Sequence, residues 1–143
     1  MAPQRVEAGS LSMSGGSERS IRSYKDLDVW QKSMVLAEDC YRATSDFPRD
    51  EIYGMTAQMR PAAVSIPANI AEGYGRDQTG PFIQFLRIAN GSTRELETHV
   101  ILSGRIGLLH KEVRDKLLDD CEGISKMLRA MIRSLEGRER QDA

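Results

Sequence analysis

Apolar residues recur at helical spacing in four separate stretches of the chain. The first runs from about Leu27 to Ser45, where Leu27, Trp30, Met34, Ala37, Tyr41 and Thr44 are spaced 3, 4, 3, 4, 3. Val29, Leu36 and Cys40 widen that stripe. Asp26 or Asp28 is expected to cap its start, because an acceptor with negative charge suits the free N–H groups there. Phe47-Pro48 stops it. The second stretch, about Asp50 to Glu72, places Ile52, Met55, Met59, Ala62, Ile66 and Ile70 at helical spacing. Pro61 and Pro67 fall inside it and free the carbonyls of Ala57 and Ala63. The apolar spacing survives across both prolines, which predicts a kinked helix rather than two short ones. Gly73-Tyr74-Gly75 is expected to end it, with Gly73 at positive φ.

The third stretch runs from about Gly80 to Ser103, with Thr79 as its expected cap and Pro81 in the first turn. Phe82, Phe85, Leu86, Ala89, Thr93, Leu96 and Val100 mark one face. The fourth, about Lys111 to Leu135, spaces Leu117, Cys121, Ile124, Leu128, Met131 and Leu135 by 4, 3, 4, 3, 4. Strand-type alternation is absent and the connectors are short, so sequential helices become antiparallel neighbours. The expected fold is all-α, an antiparallel up-down-up-down four-helix bundle over residues 23–137. Several helices carry apolar residues on more than one face, and a second buried surface between copies of the chain explains the excess. Residues 1–22, rich in Gly and Ser, read as a disordered tail, and residues 138–143 as a polar C-terminal one. Leu11-Ser12-Met13 is no signal-peptide core, and Met13 offers an alternative start that would leave residues 1–12 untranslated.

Composition narrows the functional classes. The 143 residues carry 20 Lys+Arg against 21 Asp+Glu, a formal net charge of −1, so no bulk attraction to nucleic acid or anionic membrane follows. No apolar run approaches a membrane span. Cys40 and Cys121 form neither a disulfide framework nor a CxxC pair, which fits a reducing cytoplasm.

Catalytic motifs are missing. His99 and His110 belong to no HExxH pair, so no metal is expected. Gly73, Gly75 and Gly80 do not make GxGxxG, since position 78 is Gln. Glu95 and Glu97 stand two apart and point to different helix faces. Gly104-Arg105-Ile106-Gly107 matches GxxG spacing without the surrounding sheet of a KH domain, and reads as a helix-ending turn. Asn69 and Glu72 are polar residues in the most apolar helix and share a face at i,i+3. Their structural role is to satisfy freed backbone groups or to pair across a subunit contact; the alternative is a polar spot for a partner.

Three blocks carry a family resemblance. They are Tyr24-Lys25-Asp26-Leu27-Asp28-Val29-Trp30-Gln31-Lys32, the run from Tyr53 to Arg60 continuing through Ser65-Ile66-Pro67-Ala68-Asn69-Ile70-Ala71-Glu72-Gly73-Tyr74-Gly75-Arg76, and Phe82-Ile83-Gln84-Phe85-Leu86 with Ala89, Gly91-Ser92 and Glu95-Leu96-Glu97-Thr98. In order and spacing they resemble the bacterial four-helix-bundle family of 23S rRNA intervening-sequence proteins, over roughly residues 24–110. The resemblance implies a ring-like homopentamer, no enzymatic activity and no cofactor. It marks Pro67, Asn69, Glu72, Gly73, Gly91 and Glu95 as signature positions. The accessory protein of diversity-generating retroelements, which partners a reverse transcriptase, is similar to this family and tends to be basic. Here Pro61 stands where relatives commonly carry a second basic residue after the one matching Arg60. Fewer clustered cations mean fewer neutralised phosphates and weaker binding to nucleic acid.

The cations singled out for a nucleic-acid or partner contact are Arg60, Arg76, Arg87 and Arg94, the last two seven apart on one helical face. They are expected either to converge at one end or along the wall of a ring, or to be scattered and salt-bridged. The leading expectation is a non-enzymatic homo-oligomeric binding or scaffold module for RNA or an RNA-handling protein. A retroelement accessory subunit is the first alternative, and a small enzyme using Glu72 or Glu95 the weaker one.

Overall fold

The computed structural model describes residues 20–142. Four helices make up most of it: α1 (Asp28–Ser45), α2 (Met55–Tyr74), α3 (Thr79–Arg105) and α4 (Lys111–Gln141). Single 3₁₀ turns at Tyr24–Asp26 and Arg49–Tyr53 precede α1 and α2. The helices touch in a closed circuit, α1 to α2 to α3 to α4 and back to α1, while the diagonal pairs make no close backbone contact among the described residues. Side-chain pairs give the direction of each seam. Ser103 donates to the Met59 Sδ, Ser65 pairs with Ser92, and Gly73 abuts Phe82 and Phe85, so α2 and α3 run antiparallel. Gly104 packs on Arg114, Arg94 reaches Glu122 and Arg87 reaches Glu136, which makes α3 and α4 antiparallel too. Only four residues separate α2 from α3, too few to carry the chain back along a helix of about 30 Å. The chain is an all-helical four-helix bundle, and no strand occurs among the described residues.

Its core runs the length of the circuit, with Leu36, Met59, Ile66, Ile70, Phe82, Leu86, Leu96, Leu117, Ile124 and Leu128 at 1% exposure or less. Buried hydroxyls are satisfied locally, as Thr44 and Thr93 donate to the carbonyls of Cys40 and Ala89 at 2.8 and 2.9 Å. Among the described residues no buried side-chain polar atom lacks a partner.

Several boundaries differ from the sequence expectations, each for a local reason. The cap expected of Asp26 forms one turn early. Its carboxylate accepts from the Arg22 and Ser23 N–H groups at 2.8 and 3.2 Å and closes a capping box on the 3₁₀ turn, while Leu27 opens α1 without a side-chain bond. Thr79 does not cap α3; Gln78 holds that position and Thr79 is the first helical residue, buried. Residues from Asp50 do not start α2, because Gly54 breaks the turn from the helix and Glu51 Oε2 accepts from the Met55 N–H at 2.8 Å. Pro61 and Pro67 both lie inside one uninterrupted helix, which packs against α1 on one side and α3 on the other. The positive φ expected of Gly73 falls instead on Asp77 (56°), and Gly73 is a buried helical residue. The polar stretch 138–143 continues α4 to Gln141. Of the expected tail 1–22, residues 1–19 lie outside the described residues, and Ile21 belongs to the core at 5% exposure.

Candidate nucleic-acid or partner interface

The four singled-out arginines do not share one seam, and each has a partner within the chain. Arg60, near the start of α2, donates through Nε to Thr44 Oγ1 at 2.8 Å and lies 4.5 Å over the Tyr41 ring. Arg76, just beyond α2, pairs with Glu72 at 3.1 Å and covers the Phe85 ring at 5.2 Å. Sixteen residues of helical rise, about 24 Å, separate these two, so they occupy opposite ends of the bundle. Arg87 bridges from α3 to Glu136 of α4. Arg94 holds Glu97 at 2.7 Å and Glu122 at 3.5 Å, and its bond to Glu97 raises its pKa further. Within one copy the four do not meet in a single patch. Arg87 and Arg94 share the α3–α4 face, while Arg60 and Arg76 lie elsewhere.

The signature positions divide by role. Asn69 donates to the Ser65 carbonyl and hydroxyl at 2.8 and 2.9 Å, and Ser65 pairs with Ser92 across to α3 at 2.8 Å. That chain stitches α2 to α3, without using the Ala57 or Ala63 carbonyls that the prolines were expected to free. A Cβ on Gly73 would lie 2.5 Å from the Phe85 Cβ, so the glycine sets how closely α3 approaches α2. Pro67 is buried, whereas Gly91 is exposed with nothing within 4 Å of its missing Cβ.

Glu72 and Glu95 stand apart, each beside a partner on its own stretch of chain. Glu72 is engaged by Arg76, and Glu95 lies 3.4 Å from His99 on α3. Gly73 is level with Phe85, which leaves Glu95 ten residues, about 15 Å, further along α3. No group of three or more His, Cys, Asp or Glu side chains among the described residues is placed to hold a metal. Cys40 and Cys121 are buried and free, on the facing helices α1 and α4. Burial pushes the Cys40 thiol up to about 12, helped by Asp39 and Asp120, and raises Cys121 likewise. Both stay protonated thiols at neutral pH.

The 23S rRNA-intervening sequence protein model matches residues 25–130 of this chain. The chain belongs to that family. The match takes in α1, α2, α3 and the first two-thirds of α4. A crystal structure of a protein of unknown function from the S23 ribosomal protein family of Bacteroides thetaiotaomicron is similar in fold, with a TM-score of 0.69 and 25% identity. The alignment covers 73% of this chain and 95% of that one. No curated protein matches. Neither description involves a reverse transcriptase, and the retroelement alternative gains nothing from them. Among the described residues no helix is long and apolar enough to cross a membrane.

One feature of this family member escapes a reading of apolar periodicity. Residues 111–125 of α4 carry three Lys/Arg against five Asp/Glu, and residues 126–141 carry five against two. Lys126, Arg129, Arg133 and Arg140 fall within about 60° of arc on the helix and all are exposed. Arg129 touches Glu122 at 3.7 Å. The signal was present in the spacing of charged rather than apolar residues.

Proposed function

We propose that the chain is a non-enzymatic homo-oligomeric bundle of the cytoplasm, a ring-like homopentamer that acts as a binding or scaffold module for RNA or an RNA-handling protein. The observation that carries this reading is the outward face of α2. Ala57, Pro61, Val64 and Ala68 follow one another at helical spacing, all exposed, and no charged residue occurs between Arg60 and Glu72. Beside that face, Met34, Ala37, Tyr41, Val64 and Pro67 line a largely apolar groove of about 440 Å³ between α1 and α2, with Glu38 and Arg42 at its edge on α1. An exposed helix face without charge over this length is ordinary at a subunit contact and unusual against water. A face that docks on a different face of the next copy generates a ring when the rotation closes. The family's connection to 23S rRNA insertions supports an RNA-related partner. Arg60, Arg76, Arg87 and Arg94 are the contacts assigned to it, and a ring repeats each of them around its axis. The ion pairs that Arg76, Arg87 and Arg94 form within the chain are at least partly open to solvent, and pairs of that kind hold their partners weakly.

The test is light scattering on the full chain, followed by retention of structured RNA at low salt. The expected mass at about 1 M salt, where charges act over only about 3 Å, is near five times the 16.0 kDa monomer, and Val64→Glu lowers it without loss of helical signal. A monomeric wild-type protein overturns the assembly. Absence of RNA retention at low salt overturns the RNA partner and leaves the assembly standing.

A further inference from the structure

The outward face of α4 is divided by charge. Glu112, Asp115, Asp119 and Glu122 follow one another at spacings of 3, 4 and 3 in the N-terminal half, and Lys126, Arg129, Arg133 and Arg140 continue the same face in the C-terminal half. At 100° per residue all eight lie within about 100° of arc, which also takes in the exposed Lys111 at the acidic end. A second sequence feature runs along the same face. Gly123, Ala130 and Gly137 recur every seven residues. Nothing lies within 4 Å of the Cβ position of either glycine, so packing inside the bundle does not call for them. Glycine in a helix interior is the least favourable residue after proline, and its use there fits the close approach of another backbone. Beside Gly123 a groove of about 410 Å³ opens between α4 and α1, lined by Gln31, Lys32 and Val35.

We propose that two copies of the chain pair through α4, antiparallel about a two-fold axis near Lys126, the acidic half of each helix lying on the basic half of the other. The register that sets Glu112 of one copy against Arg140 of the other also sets Asp119 against Arg133, and it brings the two Lys126 side chains together at the axis, a repulsion that the four acid–base contacts must outweigh. Two-fold pairing satisfies every such contact twice. Glu112, Asp119, Lys126, Arg133 and Arg140 take part in none of the ion pairs formed within the chain among the described residues. A polyanion would use the basic half alone and be repelled by the acidic one. A membrane surface would need large apolar side chains in this sector, where the chain has glycine and alanine. Because α2 and α4 are diagonal in the bundle, this contact leaves the α2 face free. The pairing therefore stands apart from the ring and joins whole assemblies.

Sedimentation velocity of the full chain tests it, at about 0.1 M salt, where charges act over about 10 Å, and at about 1 M, where they act over about 3 Å. Two double variants are made, Glu112→Lys with Asp119→Lys, and Arg133→Glu with Arg140→Glu. All four positions are exposed, and circular dichroism confirms that each variant is folded. The expected result is a twofold fall in wild-type mass at high salt. Each variant alone shows the lower mass at low salt, and an equimolar mixture recovers the higher one, because the reversed halves complement each other. A wild-type mass independent of salt overturns the pairing. So does a mixture that stays at the lower mass, or a basic-half variant that keeps its mass while losing retention of RNA. Val64→Glu, run in parallel, reports on the ring alone.

Discussion

Replacing Gly73 and Gly91 with alanine, one at a time, is expected to move stability in opposite directions. Both glycines lie inside helices, where alanine is favoured by about 1 kcal/mol. At Gly91 nothing lies within 4 Å of the new methyl, so the gain of about 1 kcal/mol is kept. At Gly73 the methyl would sit 2.5 Å from the Phe85 Cβ and 3.0 Å from the Phe82 Cδ1. Carbon atoms pack best at about 3.5–4.0 Å, so the gap must open by roughly 1 Å. The Phe85 Cβ is fixed to its own backbone, and relief requires moving α3 away from α2 rather than turning a ring. Such overpacking costs about 1–3 kcal/mol, and a backbone shift puts this site at the upper end. Subtracting the helix gain leaves Gly73→Ala about 2 kcal/mol less stable than wild type. Urea unfolding followed by circular dichroism, at matched protein concentration, measures both midpoints. A Gly73→Ala midpoint at or above the wild-type value would refute the close-packing account.

Four other outcomes follow from contacts elsewhere in the chain. Cys40 and Cys121 should not react with a thiol reagent until the chain unfolds, so the labelling rate should track global opening. Their pKa values are higher in the folded state; the stability this reflects is complete below the unfolded value of about 9 and is lost as pH rises from there toward about 12, so the urea midpoint should fall across that window. A double-mutant cycle on Ser65→Ala and Ser92→Ala should give a coupling of about 1 kcal/mol, and additivity would show that their 2.8 Å contact contributes nothing. Arg60→Lys should lose most of what Arg60→Gln loses, because Lys cannot both bond Thr44 and lie flat on Tyr41; recovery of wild-type stability by Lys would contradict that geometry.

Helix number, order and the buried face were legible because one physical quantity, apolar period, controls them. Leu36, Ile66, Leu96 and Leu128 sit at helical spacing and are fully buried. Boundaries were less legible because they depend on single side chains choosing between two nearby backbone turns. Asp26 could cap α1 or the turn before it, and its carboxylate reaches the Ser23 N–H instead. Glycine was the most ambiguous residue. The same Gly73 suits a left-handed helix end and a tight helix crossing, and only the position of Phe85 decides between them. Arg76, Arg87 and Arg94 form ion pairs and Arg60 bonds a hydroxyl instead, and which group each arginine meets across a seam depends on the seam register, which no local pattern encodes.

The near-zero net charge deserves a different physical reading once the helix faces are known. A formal charge of −1 is a sum over the chain, and a sum does not constrain how charge is arranged. Along one outward face of α4, about 40 Å from Glu112 to Arg140, carboxylates predominate in the first half and cations fill the second. With a screening length of about 10 Å, each half acts on its own neighbours and hardly feels the other. The chain therefore offers an acidic surface and a basic surface while remaining neutral overall. Neutrality of that kind does not weaken association. It selects partners whose charges are divided in the same way, and a second α4 running in the opposite direction meets that requirement.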